Sequence, residues 1–109
     1  MRPLALGLIT LGVAVVAPSA SADVLVHAPK PSIRCGADIK LGVWYQAYSG
    51  GPRWAVLQVR SAGGRTLARR RVTATTRWRY WTYSPACGRS YRVRYDTPGG
   101  HVGFTVRVR

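Results

Sequence analysis

From Asp23 onward the chain alternates apolar and polar positions with a period of two. No stretch of ten or more residues carries the i, i+3, i+4 apolar stripe of a surface helix. Asp-Val-Leu-Val-His-Ala (23–28) predicts an edge strand, stopped by Pro-Lys-Pro-Ser. Residues 38–48 put Ile39, Leu41, Val43, Tyr45 and Ala47 on one side, and Lys40, Gly42, Trp44, Gln46 and Tyr48 on the other. Ser-Gly-Gly-Pro (49–52) predicts a turn, and 53–61 a strand with Ala55, Leu57 and Val59 sharing a face. Ala-Gly-Gly-Arg (62–65) predicts a tight hairpin turn, because paired glycines accept the positive φ such turns need, and 66–74 returns from it.

The C-terminal hairpin has the cleanest pattern. Tyr91, Val93 and Tyr95 oppose Arg92 and Arg94. After Thr-Pro-Gly-Gly (97–100), Val102, Phe104, Val106 and Val108 face inward, with Thr105, Arg107 and Arg109 outward. Strands of this kind have one dry and one wet face. About seven of them at roughly 8–12-residue spacing predict an all-β fold, a small antiparallel β-sandwich of Ig-like or Greek-key type.

One stretch alternates without declaring its phase. Thr-Thr-Arg-Trp-Arg-Tyr-Trp-Thr-Tyr (75–83) places Trp78, Tyr80 and Thr82 on one face and Arg77, Arg79, Trp81 and Tyr83 on the other. The arginine-free set is expected in the core. The mixed set is then expected in solvent, where guanidinium groups stack on neighbouring rings.

The N-terminus changes the extent of the folded part. Arg2 precedes the apolar run Leu4–Val16, and Ala20-Ser21-Ala22 closes a small-x-small cleavage pattern. Residues 1–22 therefore read as a secretory signal peptide, with 23–109 as one exported β-sandwich domain. The run is too short to span a bilayer, so no transmembrane anchor is expected. Cys35 and Cys87 both fall in the exported part, so they are expected to pair as a structural disulfide.

Charge changes the functional picture most. Seventeen basic residues less Arg2 leave 16, against three aspartates and no glutamate, a net +13 for residues 23–109. Arginine supplies 14 of those 16. A domain so basic is steered toward polyanions. Arg92 and Arg94 project from one strand of the last hairpin and Arg107 and Arg109 from its partner. Arg69, Arg70, Arg71, Arg77 and Arg79 add to the anion-binding candidates. Trp78, Tyr80, Trp81 and Tyr83 are the candidate aromatic recognition residues, since Trp, Tyr and Arg dominate binding hot spots.

Chemistry is scarce by contrast. His27, His101, Asp23, Asp38 and Asp96 are the only histidines and carboxylates, with no nucleophile elbow, no metal-ligand spacing and no phosphate loop. No enzyme activity, metal or cofactor is expected. The composition points to a secreted binding module for an anionic partner: a cell-wall polymer, an acidic glycan, nucleic acid or an acidic protein surface.

Two resemblances add alternatives. Trp78-Arg79-Tyr80, followed by Cys87, resembles the Trp-Arg-Tyr segment of the tendamistat-type proteinaceous α-amylase inhibitors. These are small secreted actinomycete β-sandwiches that insert this tripeptide into the enzyme's cleft. The resemblance implies inhibition of a secreted glycosidase, with Arg79 displayed on a turn. The whole sequence is similar to the broad class of small exported actinobacterial Ig-like β-sandwich proteins, a likeness of fold that assigns no function. A carbohydrate-binding module using exposed Trp44, Trp54 and Trp81 as stacking platforms is the remaining alternative.

Overall fold

A computed structural model describes residues 14–16, 24–46 and 50–109. Its strands are β1 (Ala14–Val16), β2 (Val24–His27), β3 (Ser32–Ile33), β4 (Ile39–Tyr45), β5 (Trp54–Ser61), β6 (Thr66–Thr73), β7 (Arg79–Tyr83), β8 (Ser90–Thr97) and β9 (Gly100–Val108). They form a four-stranded sheet ordered β1-β2-β4-β7 and a five-stranded sheet ordered β3-β9-β8-β5-β6. The fold is an all-β sandwich, as the alternation predicts.

The apolar half of each strand meets between the sheets. Val24, Val26, Ile39, Leu41, Val43 and Tyr45 come from the first sheet. Ala55, Leu57, Val59, Val72, Tyr91, Val93, Tyr95, Val106 and Val108 come from the second, and all are buried. Val102 and Phe104 pack half-buried against them. Gly64 closes the β5–β6 turn at φ +93°, a conformation that costs glycine nothing, and its N–H donates to the Ser61 carbonyl.

Tyr95 crosses the core and joins the sheets. Its hydroxyl accepts from the Gly42 N–H at 3.1 Å and donates to the His27 carbonyl at 2.8 Å. These two groups lie one step past the last β2–β4 pair, Val26 with Val43, so the phenol stands in for a ladder bond. Burial pushes its pKa well above the ordinary tyrosine range, and the Gly42 hydrogen bond offsets only part of that.

Cys35 and Cys87 are joined, with Cα atoms 4.9 Å apart. The bridge links the β3–β4 and β7–β8 connections, each of which passes from one sheet to the other. Ser84 Oγ donates to Asp38 Oδ1 between the same two connections. Closing 52 residues of chain stabilises the fold by about 4 kcal/mol on chain-entropy grounds. Among the described residues no helix is long and apolar enough to cross a membrane.

Three sequence expectations need amendment. The strand 24–27, expected at an edge, is flanked on both sides, since β1 pairs with it antiparallel opposite β4. That flanking strand comes from the stretch read as a leader, and its removal would return β2 to the edge. Pro-Lys-Pro-Ser does not simply stop the chain: Ser32–Ile33 adds a short parallel strand beside β9, where Arg107 donates its N–H to the Pro31 carbonyl. Ala47, Tyr48 and the first residue of the 49–52 turn lie outside the described residues, as does the 1–22 leader apart from β1.

The third amendment reverses a face. On β7, Trp81 pairs with Leu41 and Tyr83 with Ile39, both core residues, so Trp81 and Tyr83 turn inward. Tyr80 pairs with Gly42 and lies outward, 42 % exposed. Trp78 and Thr82 share its side, opposite to the expectation. Register with β4 decides the matter, because the mid-strand glycine leaves room for a ring only on the outer surface.

Candidate functional site

The strongest concentration of chemistry is the outer face of the five-stranded sheet. Alternation on β5 sends Ala55, Leu57 and Val59 inward, so Trp54, Val56, Gln58 and Arg60 point out. Register carries that phase to the neighbours. Gln58 lies between Arg69 on β6 and Arg94 on β8, with Gly103 on β9 next in the row. Arg60 faces Arg92, which faces Thr105. Val56 lies between Arg71 and Asp96, and Asp96 faces His101. Arg107 extends the face toward β3, opposite Ser90 and Ser32.

Arg60, Arg69, Arg71, Arg92, Arg94 and Arg107 thus share one surface, on a grid of roughly 5 Å between strands and 7 Å along them. Side chains directly opposite one another interact, and like charges there destabilise, so the Arg60–Arg92 pair costs the free protein some stability. Asp96 is the one carboxylate among the described residues of this face. Its Oδ1 lies 3.0 Å from Arg94 Nη2, and Arg94 Nε also donates to it. Gln58 Oε1 accepts from Arg60 Nε and Nη2 at 3.1 and 2.9 Å, and Gln58 Nε2 donates to Asp96 Oδ2 at 3.4 Å. These contacts fix two guanidinium groups in place without cancelling the charge of the face. Arg60, Arg92, Arg94 and His101 surround Gly103 and Thr105 in a shallow concavity of about 400 Å³.

Of the anion-binding candidates, the structure brings together Arg69, Arg71, Arg92, Arg94 and Arg107. It adds Arg60, which sequence reasoning passed over. The parity of Ala55, Leu57 and Val59 carries the signal for it, since the even-numbered residue that follows Val59 must face out. Arg109 lies just beyond β9, with Nε 3.4 Å from the Ile33 carbonyl. Arg70 is not part of the face: it pairs with Leu57 and so takes the inner side, 5.9 Å from the Trp81 ring. Arg77 sits in the bend before β7, held by Thr75. Arg79 Nη1 donates to the Thr73 carbonyl at 2.8 Å, and its guanidinium lies 5.1 Å from the Trp81 ring.

The aromatic candidates divide in the same way. Outside the four-stranded sheet, Trp44, Trp78 and Tyr80 form a row, with centroids 6.3 and 5.8 Å apart and planes 22° and 13° from parallel. Lys40 Nζ sits 4.1 Å over the Tyr80 ring, and His27 meets that ring edge-on. The Tyr80 ring crosses Gly42 so closely that a Cβ there would lie 2.6 Å from two of its carbons. Trp81 and Tyr83 instead pack on the core, Tyr83 edge-to-face with Tyr91. Trp54 is half-buried, with the Arg71 guanidinium 5.0 Å from its ring.

The rings are therefore occupied by one another and by cations. Trp78, Arg79 and Tyr80 do not converge on one surface, because Arg79 points to the opposite side from the two rings it separates. Comparison of the chain with protein-family models, with curated proteins and with solved structures finds no match in any of the three.

Proposed function

We propose that the protein is an exported, non-enzymatic binding module that holds a phosphate- or sulfate-bearing extracellular polymer against the arginine face of its five-stranded sheet. The observation that carries this reading is the cross-strand placement of Arg60 beside Arg92, and of Arg69 in the row of Arg94, with Asp96 as the single opposing carboxylate among the described residues. An anionic polymer relieves that repulsion, and guanidinium forks offer bidentate contacts to its phosphates or sulfates. A twisted sheet presenting cations at regular spacing suits a repeating ligand better than a single small anion. Export is inferred from the leader pattern at 1–22, and the Cys35–Cys87 bridge is consistent with an oxidising compartment.

Affinity chromatography tests the reading. The 23–109 protein is expected to be retained on heparin and on immobilised polyphosphate and released by moderate salt, and to pass through neutral dextran and cellulose. Release that is indifferent to salt, or equal retention on the neutral resins, would rule it out.

A further inference from the structure

The second concentration of unusual side chains lies between the sheets, on the side where β7 ends one sheet and β6 ends the other. Leu41 and Leu57, Val59 and Ala68 meet Trp81 and Tyr83 there around a cavity of about 240 Å³. Arg69 and Arg70 border it. At about 30 Å³ for each water-sized heavy atom, the space matches a tail of roughly eight such atoms.

We propose that this cleft binds an anionic amphiphile, a short saturated hydrocarbon chain bearing a carboxylate or phosphate head, with the tail on Leu41, Leu57 and Val59 and the head on Arg70. The register places Arg70 on the inner face of β6, opposite Leu57, so its methylene stem follows the apolar wall while its guanidinium reaches the Trp81 ring at the mouth. Inward charges are one way that proteins blunt sheet edges. Edge protection alone, however, needs no apolar cavity behind the charge, and here the cavity and the cation coincide. Among the described residues, Arg69 and Arg70 are the charged groups that border the cleft and neither Asp38 nor Asp96 does, which selects against a cationic head. A chain of apolar carbons also suits the lining better than water, which needs two to four polar partners.

Isothermal titration of the 23–109 protein with decanoate, decanol and decyltrimethylammonium, each below its micelle concentration, tests the proposal. Decanoate is expected to bind at one site, at least about ten-fold more tightly than decyltrimethylammonium. Arg70→Gln, an exposed change that leaves the core alone, should weaken decanoate by about ten-fold and leave decanol unchanged. Ala68→Phe, which fills the cavity, should abolish both. Arg92→Gln with Arg94→Gln should change neither, which separates the cleft from the outer arginine face. Absence of saturable decanoate binding, indifference to Arg70→Gln, or loss of decanoate through Arg92→Gln and Arg94→Gln would each overturn the proposal.

Discussion

The two outer faces of the sandwich are built from the same kind of alternating strand, yet they dispose of their side chains differently. On the four-stranded sheet, Trp44, Trp78 and Tyr80 lie against one another, Lys40 covers the last ring, and Gly42 provides the floor on which it rests. Every large group there has a partner within the fold. On the five-stranded sheet, Arg60 and Arg92 confront each other, and the guanidinium groups of Arg69, Arg92 and Arg107 have no hydrogen bond or ion pair among the described residues. Facing like charges cost the free protein stability, and an anionic partner would relieve that cost. On the proposed function, the aromatic face serves stability and the arginine face serves binding, so substitutions on the two should separate cleanly.

The largest effect is expected from Arg60→Gln, Arg92→Gln and Arg94→Gln together. Affinity for heparin at about 0.1 M salt should fall by between about 100- and 1,000-fold, since each lost phosphate-type contact removes about 0.7–0.9 from the salt slope. The melting temperature should hold or rise as repulsion is relieved. Equal affinity with a lowered melting temperature would break the comparison.

Gly42→Val reverses that pattern. Its side chain meets the Tyr80 ring, displaces the aromatic row and should destabilise the protein by about 1–3 kcal/mol in urea denaturation. Heparin binding by the folded protein should be unchanged. A loss of binding at full stability would show that the aromatic face contacts the ligand.

Tyr95→Phe tests the clip that joins the two sheets. Removing the hydroxyl leaves the Gly42 N–H and the His27 carbonyl without this partner, at a cost of about 1–3 kcal/mol. The same hydroxyl has a pH signature. Its folded-state pKa lies above the unfolded value of about 10, so the unfolded chain releases the proton first, and the stability this group contributes is lost as pH rises above about 10. Denaturation midpoints followed from pH 8 to 11 should fall less steeply in Tyr95→Phe than in the parent protein.

The smallest effect belongs to Asp96→Asn. Freeing Arg94 from its carboxylate should raise heparin affinity several-fold and steepen the salt slope by no more than about one. A decrease would mean that Asp96 holds Arg94 in the binding geometry and does not compete for it.

How far the sequence could be read depended on whether the two sides of a strand differ in chemistry. The β8–β9 hairpin sets valine and tyrosine against arginine at every step, so its phase, its inward residues and its cationic side all follow from alternation. The Cys35–Cys87 pairing followed from there being two cysteines, both in the stretch that the leader pattern reads as exported. Residues 77–83 resisted because rings stand on both sides, and only pairing with Ile39, Leu41 and Gly42 reveals which set is inside. Gly42 was the available clue, since a glycine within a strand marks the close approach of another group. The run Arg69-Arg70-Arg71 carries no alternation of its own, so only the partner Leu57 separates Arg70 from its neighbours. Residues 32–33 were hidden by the preceding Pro29 and Pro31, which read as a stop.

The salt dependence of heparin binding tests the central claim most directly. The log–log slope for the parent protein should lie near −4 to −5, as for about six contacts, and should become shallower by about two to three in the Arg60, Arg92, Arg94 triple variant. A slope near zero, or one that the triple variant leaves unchanged, would contradict the assignment of binding to the arginine face.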